Sequence, residues 1–382
     1  MILAPQVAPL EFKPTLELRQ RFESRQDRDF DRTKLDRRTD LFTRIRPGFV
    51  LTSGKQWSLT LQGQFVSSLA HSSSKNFSLD DWDLFWAHIT YTWKDGVVRA
   101  GRQRMVVGDQ SLFGSSDFGN RGSSYDGVAM RIGKFEAMGG RIGVQANRPS
   151  EFRILALTYS LPFGLSQLYF KHDRIQGKSI DHFTLSQTGG IQSGPWSFEG
   201  EWIGQIGRNQ GKDHRAWAMR NRASYTIRSG LRVGIDLNMA SGGQSNRKSE
   251  TFDPLVSPNH TLFGILDAVS WRNLIDLALF VHYQPNSGTR LQIEYHRFAL
   301  KNPKDGWYSV GIRPVLLGLD PTGKSGRALG DEVSLDYRQT LNKWLTGMAG
   351  ISWMQPSTFI NSLRAGDATR QLWFYVGMTM RF

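Results

Sequence analysis

The amino-acid sequence predicts an all-β protein, namely a transmembrane, antiparallel, up-and-down β-barrel of about 18 strands with short periplasmic turns and long outer loops. Three observations predict this fold. Apolar and polar residues alternate along most of the chain, the connections between the alternating segments differ systematically in length, and the mean hydropathy is only −0.41. Residues 1–382 are expected to form a single barrel domain.

The alternation places apolar side chains on one face of each predicted strand and polar side chains on the other. It is clear in WSLTLQGQF (57–65), LRVGIDLNM (231–239) and DEVSLDYRQ (331–339). A soluble β-sandwich would show the same alternation, with its apolar faces turned toward a core. The pattern within the strands therefore leaves a sandwich and a membrane barrel both open.

The connections between the alternating segments favour the barrel. Tight connections are predicted at 53–55, 94–96, 229–230 and 285–288. Long connections are predicted at 24–36, 66–79, 106–123, 241–272, 301–328 and 355–368. A sandwich gives no reason for this sorting, whereas outer-membrane barrels have short turns on the periplasmic side and long loops outside.

Composition excludes several other classes. The chain has no Cys, so it is not a disulfide scaffold. It lacks any run approaching the roughly 18 apolar residues of a spanning helix. Basic residues are interleaved with acidic ones instead of forming one stripe, so nucleic-acid binding is not expected. The N-terminal segment MILAPQVAPLEF predicts no intact secretory signal, which fits either a chain numbered after cleavage or a cytoplasmic one.

The final segment, TRQLWFYVGMTMRF at 369–382, has the pattern of a strand that closes a barrel. Its predicted lipid face comprises Phe374, Val376, Met378 and Met380, and Phe382 is predicted to lie at the membrane interface. A terminal Phe after such alternation resembles the signal that outer-membrane assembly machinery reads. The predicted location is the outer membrane, where lipid and lipopolysaccharide would surround the barrel.

Three stretches resemble the alginate-export porin family of outer-membrane barrels. They are VRAGRQRMVVGDQSLFGSSDFGNRGSSYDGV at 98–128, TFDPLVSPNHTLFGILDAVSWRNLIDLAL at 251–279, and WYSVGIRP at 307–314. The resemblance implies a monomeric barrel of 18 strands. It also implies a transport function, since the best-understood member exports the polyuronate alginate, although many relatives have no assigned substrate.

Arginines on the predicted inward faces are the candidate pore-lining residues. Strand parity turns six of them inward, in pairs on three strands: Arg19, Arg21, Arg44, Arg46, Arg220 and Arg222. An arginine facing lipid at the bilayer midplane would cost roughly 2–4 kcal/mol, which agrees with the inward assignment. The resemblance adds Arg102 and Arg131 as lining residues and Asp126 as a counter-charge, and Arg313 in a long loop is a candidate constriction.

These residues and the net charge of +14 favour a pore that passively conducts anions. Guanidinium groups stay ionised and bind carboxylates in a forked geometry, so anionic saccharides, especially uronates or alginate-like polymers, are the expected solutes. One alternative is a general diffusion porin with weak anion preference. In another interpretation, the arginines brace the wall by pairing with Glu17, Glu23, Asp40 and Asp236.

An outer-membrane hydrolase is a third, weaker alternative. The sequence lacks the Gly-x-Ser-x-Gly elbow of a serine hydrolase, so no enzyme activity is expected. His172, His182, His282 and His296 lack the spacing of helical zinc ligands, and the segment 27–40 interleaves aspartates with arginines as in a self-neutralising outer loop. No metal or other cofactor is expected.

Overall fold

The computed structural model describes residues 9–34, 36–72, 76–144, 151–258, 260 and 262–382. Within these residues, 18 strands form a barrel in which each strand pairs antiparallel with its sequence neighbours. They are β1 Leu10–Gln26, β2 Arg38–Ser53, β3 Trp57–Ser72, β4 Asn76–Trp93, β5 Gly96–Gln103, β6 Ser124–Ile132, β7 Phe135–Val144, β8 Arg153–Leu161, β9 Gly164–Ile175, β10 Lys178–Ser193, β11 Trp196–Asn209, β12 Lys212–Arg228, β13 Leu231–Ala240, β14 Leu274–Asn286, β15 Thr289–Leu300, β16 Ala328–Thr340, β17 Leu345–Pro356 and β18 Gln371–Arg381.

The first and last strands close the barrel, since β18 pairs with β1 from Glu17↔Arg381 to Gln26↔Leu372. Closure matters physically because every strand then has hydrogen-bonding partners on both edges, as a hydrocarbon surrounding requires. No helix in the described part of the chain is long and apolar enough to span a bilayer. The predicted fold class and strand number are confirmed.

The two ends of the barrel differ, as the sequence predicts. One end, the turn end, has connections of two to four residues, and the first strand begins and the last strand ends there. The other end, the loop end, carries the loops 104–123, 241–273, 301–327 and 357–370. The predicted long loop at 66–79 is wrong, because β3 continues to Ser72 and β4 begins at Asn76, so the ladder extends through this Ser-rich stretch. Two loop-end connections, 176–177 and 210–211, are also tight.

The exterior of the barrel is apolar along the strands. In β18, Phe374, Val376 and Met378 are 40%, 54% and 47% exposed, whereas Trp373 and Tyr375 are buried inside. The alternation predicted for the closing strand is therefore correct. A band of exposed apolar side chains around a closed sheet is the surface that hydrocarbon favours.

Two long loops fill the interior at the loop end. The loops 104–123 and 241–273 fold into the lumen and join there through a parallel bridge between Phe113 and Val256. Their apolar side chains form a buried core with the inward faces of the strands. Fully buried members are Leu112, Phe113, Phe252, Phe263, Leu266 and Trp271. The short helix α1, Thr358–Leu363, adds Phe359 and Ile360 to this core.

Candidate functional site

A cavity of about 930 Å³ lies between the infolded loops and the turn end. Its roof comes from the two loops and includes Phe118 and His260, whose rings stack with centroids 3.9 Å apart. The walls are the inward faces of strands, and they are strongly charged. Eight arginines and six carboxylates line the cavity: Arg19, Arg44, Arg104, Arg220, Arg222, Arg290, Arg338, Arg381, Asp109, Asp117, Glu199, Glu201, Glu294 and Asp336.

The predicted inward arginines of β1 hold the 104–123 loop inside the barrel. Arg19 donates from Nη1 to the carbonyl oxygen of Asp117 at 2.7 Å and from Nη2 to that of Gly119 at 2.8 Å. Arg21 donates to the carbonyl oxygen of Phe118. Loop carbonyls that leave water need such donors, because an unpaired buried carbonyl is costly. These two side chains therefore fix the loop across the lumen.

The inward arginines of β2 join the same loop to the wall through ion pairs. Arg44, which is 0% exposed, contacts Glu17 Oε1 from Nη2 at 2.6 Å and Asp117 Oδ1 from Nη1 at 2.9 Å. Arg46 Nη1 lies 3.0 Å from the same Asp117 oxygen, and Arg46 Nε donates to Gln64 at 2.7 Å. Asp117, which was not predicted as a site residue, is thus the acidic centre of the loop anchor.

The arginines around Asp117 determine its titration. Removal from bulk water would raise the pKa of the Asp117 carboxyl, but Arg44, Arg46 and Arg19 outweigh this effect and lower the pKa to about 2. A carboxylate whose pKa is depressed in the docked loop stabilises docking above its ordinary pKa of 3.8, and this contribution is lost as the pH falls toward 2.

We therefore expect the single-channel conductance to stay constant between about pH 7 and pH 4 and to change only below about pH 3, where Asp117 begins to be protonated. Recordings in planar bilayers over this pH range test the expectation. The Asp117→Asn variant is the control, and it should show the low-pH conductance already at pH 7. A wild-type transition near pH 5 or 6 would contradict this assignment.

The predicted arginines of β12 are also paired. Arg222 and Asp236 form a forked ion pair, with Nε–Oδ1 at 2.7 Å and Nη2–Oδ2 at 2.6 Å. Arg220 contacts Asp109 of the 104–123 loop and lies 3.9 Å from Glu201. These two arginines therefore point inward and also brace the wall, and carboxylates largely balance their charge.

Two predicted lining residues lie near the ends of the barrel instead of in the cavity wall. Arg131 is on the inward face of β6 at the turn end, where its side chain is 62% exposed and lies 3.9 Å from Glu136. Arg313, in the loop 301–327, pairs with Asp173 of β9 at 2.7 Å and donates to the carbonyl of Arg174 at 2.8 Å. It therefore ties a loop to the opposite rim at the loop end, and it is not among the cavity-lining residues.

The prediction that Arg102 and Asp126 line the pore is wrong. They are cross-strand partners, with Nε–Oδ1 at 2.6 Å, so Asp126 is indeed the counter-charge of Arg102. However, the register between β5 and β6 is continuous from this pair to Ala100↔Val128, and Val128 is 50% exposed on the exterior. Alternation therefore turns both charged side chains outward.

Four further arginines line the cavity and were not predicted: Arg104, Arg290, Arg338 and Arg381. Arg104 and Arg338 have exposed side chains, and neither has an ion-pair partner within the described ranges. The signal for Arg338 was present, since parity places it on the polar face of segment 331–339 with Asp336. Arg104 follows the last residue of β5, where no alternation remains to indicate its direction.

A second anchor holds the 241–273 loop, and its central residue, Asp253, was not predicted either. Asp253 contacts Lys171 of β9, His182 of β10 at 3.2 Å and Arg272 at 3.2 Å. Its backbone exchanges hydrogen bonds of 2.7 and 3.0 Å with the Gln205 side chain. Burial would raise the pKa of Asp253, but Lys171, His182 and Arg272 hold it well below its ordinary value.

Comparisons with known proteins agree with this architecture. Three proteins of Pseudomonas aeruginosa have the same fold by structure comparison. OpdQ has a TM-score of 0.64 at 10% identity, with 97% of this chain and 99% of that chain covered. OccK2 (OpdF), solved in complex with glucuronate, has a TM-score of 0.60 at 12% identity, and OpdK, solved with vanillate, has 0.60 at 10%; both alignments cover 97% of this chain and 98% of the other.

Sequence comparison identifies the family. No curated protein sequence matches this chain. The profile of the family described as alginate export matches residues 11–373, which is nearly the whole chain. This match and the shared fold confirm the predicted family and the location in the outer membrane. The chain therefore belongs to the alginate export family of outer-membrane β-barrel channels.

Proposed function

We propose that this channel passively conducts small anionic solutes, with uronates and related sugar acids as the favoured class. The observation that carries the proposal is the pair of guanidinium groups, Arg104 and Arg338, that face the cavity of about 930 Å³ without an ion-pair partner among the described residues. A carboxylate entering the cavity finds cations that no wall carboxylate neutralises.

The distribution of charge supports passage instead of tight binding. Arg338 lies two residues before the end of β16 at the turn end, and Arg104 follows β5 toward the infolded loops. The lining has an excess of two positive charges, eight arginines against six carboxylates. Conduction needs several weak sites rather than one strong one, so two separated cations suit an anion that moves between them.

The size of the cavity favours small solutes. Pockets for small molecules span roughly 300–1,000 Å³, so the cavity accommodates a sugar acid or a short oligomer. The roof made by the two infolded loops narrows the path that an extended polymer would need. The glucuronate in the complex of OccK2, a protein of similar fold, supports this solute class.

A reversal-potential measurement tests the proposal. At an effective dielectric constant of about 20 and a distance of roughly 10 Å, one arginine charge changes the energy of a permeating monovalent ion by about 1.7 kcal/mol, which salt screening reduces to about 0.6 kcal/mol. Under a tenfold KCl gradient, we expect Arg104→Gln with Arg338→Gln to lower the chloride-to-potassium permeability ratio roughly 50-fold, because each of the two lost charges acts on chloride and on potassium with opposite sign. Glucuronate should reduce the wild-type chloride current more than glucose does at the same concentration.

The matched control is Lys55→Gln with Lys94→Gln, which removes two positive charges from turns outside the cavity lining. This control should keep the wild-type permeability ratio. A wild-type ratio near one, with no discrimination between glucuronate and glucose, would identify a general diffusion porin and reject the proposal. Cation preference in the wild type would reject it as well.

A further inference from the structure

The outer wall of the barrel carries a row of ionisable residues that conduction does not explain. Its members are directly opposite one another on six consecutive strands, β5 to β10. In strand order they are Arg102, Asp126, Arg141, Arg153, His172 and Asp181. Cross-strand partners share one face of a sheet, so these side chains form a continuous row.

The row faces outward and lies at the edge of the apolar band. The next outward-facing positions toward the turn end include Val128, Leu155 and Phe183, which are 50%, 44% and 50% exposed. Two residues along a strand correspond to roughly 6.8 Å, so the surface changes from apolar to charged within one step. Arg102 is one residue from the loop-end terminus of β5, and Arg153 is the first residue of β8. The charged row thus lies where the outer leaflet meets its headgroups.

The charges within the row are unevenly balanced. Asp126 is held by Arg102 in a forked pair at 2.6 and 3.0 Å, and Arg141 approaches it only to 3.5 Å with a side chain that is 61% exposed. Arg153 is exposed, lies directly opposite Arg141, and has no ion-pair partner in the part of the chain that the structure describes.

Two like charges directly opposite each other are unfavourable in a sheet. At the other end of the row, His172 and Asp181 satisfy each other at 2.6 Å. The region of Arg141 and Arg153 is therefore an exterior site with excess positive charge, because Asp126, which Arg102 already holds, is the one carboxylate among the described residues that pairs with either arginine.

We propose that Arg141 and Arg153 bind a phosphate group of a glycolipid in the outer leaflet of the membrane. Two guanidinium groups on adjacent strands can donate charge-assisted hydrogen bonds to one phosphate from both sides. The Arg102–Asp126 pair flanks Arg141 and restricts its position. The acyl chains of the same lipid would lie along the apolar side chains next to the row, so one lipid molecule would contact both the charged row and the apolar surface.

The test uses the full-length barrel in detergent, titrated with bis-phosphorylated lipid A and monitored by native mass spectrometry. We expect Arg141→Gln with Arg153→Gln to weaken lipid A binding by about tenfold or more, through loss of charge-assisted contacts. The single variant Arg153→Gln should show an intermediate loss. Arg32→Gln with Lys324→Gln removes two exposed loop charges from the same end and should leave binding unchanged.

Two further binding measurements identify the ligand. Dephosphorylated lipid A should bind wild type about as weakly as phosphorylated lipid A binds the double variant. Inorganic phosphate at the concentration of the lipid should displace little of it. Folding of each variant is checked by heat-dependent mobility on gels. Equal affinity of wild type and both variants, equal binding of dephosphorylated lipid, or full displacement by equimolar phosphate would each overturn the proposal.

Discussion

Replacing Arg44 with methionine will destabilise the barrel and release the 104–123 loop from the lumen. Arg44 is completely buried and contacts both Glu17 and Asp117 through its guanidinium group. Removing one partner of a buried ion pair typically costs 3–5 kcal/mol, because the remaining charge is left uncompensated. Arg46 and Arg381 still lie 3.4 and 2.9 Å from Glu17, so we expect a loss near the lower limit, about 3 kcal/mol.

The free energy of unfolding is measured by urea titration of the barrel in liposomes, and the loop position by single-channel conductance, which should rise. Arg38→Met is the matched control on the same strand, because the partly exposed Arg38–Asp40 pair should contribute less than about 1 kcal/mol. Adding Glu17→Gln to Arg44→Met should restore little of the stability, because Arg46 and Arg381 still neutralise Glu17 in the single variant. Wild-type stability and conductance in Arg44→Met would show that the loop is held by other contacts.

The second large effect is expected from Asp253→Asn, which removes the anionic centre of the 241–273 anchor. Lys171 is 1% exposed and loses its carboxylate partner, while Arg272 and His182 lose theirs as well. An uncompensated buried cation costs about 3–5 kcal/mol of stability. This cost falls if the 241–273 loop leaves the lumen, because water can then reach Lys171. We expect a larger and noisier conductance, with a lower free energy of unfolding.

Glu250→Gln provides the control, since Glu250 is exposed in the same loop and forms no ion pair with any described residue. Its conductance should match that of the wild type. Combining Lys171→Met with Asp253→Asn should recover part of the stability lost in Asp253→Asn alone, because the buried lysine charge is then absent, although Arg272 still lacks its carboxylate partner. If Asp253→Asn conducts like the wild type, the 241–273 loop does not limit the pore.

The sequence predicted the faces of the strands well, and the reason is local. A period of two follows from backbone geometry, and hydrocarbon strongly penalises a charge on the wrong face. The inward positions of Arg19 and Arg44 and the outward position of Val376 needed no other information. The long loop expected at 66–79 was wrong because small polar residues there carry little alternation, although their backbones still pair.

The family resemblance predicted side-chain direction less well than the alternation along the strands did. It assigned Arg102 to the pore, whereas the ladder from Ala100 through Arg102 turns that side chain to the exterior. Gly101 interrupts the pattern in the sequence, with a positive φ of 118° that a side chain rarely adopts, so the alternation is hard to follow there. Arg338 was visible on a polar face, but nothing local distinguished it from the paired arginines.

By itself, the sequence determined a barrel of about 18 strands, from the number of alternating segments and the lengths of their connections. It also determined an apolar outside and arginines inside, because side-chain direction repeats every two residues. Only the tertiary structure decided which of those arginines remain available to a solute. Arg44 meets Asp117 across 73 residues of chain, and Lys171 meets Asp253 across 82. Such pairs depend on how two irregular loops fold into the lumen, and no periodic pattern encodes the path of a loop.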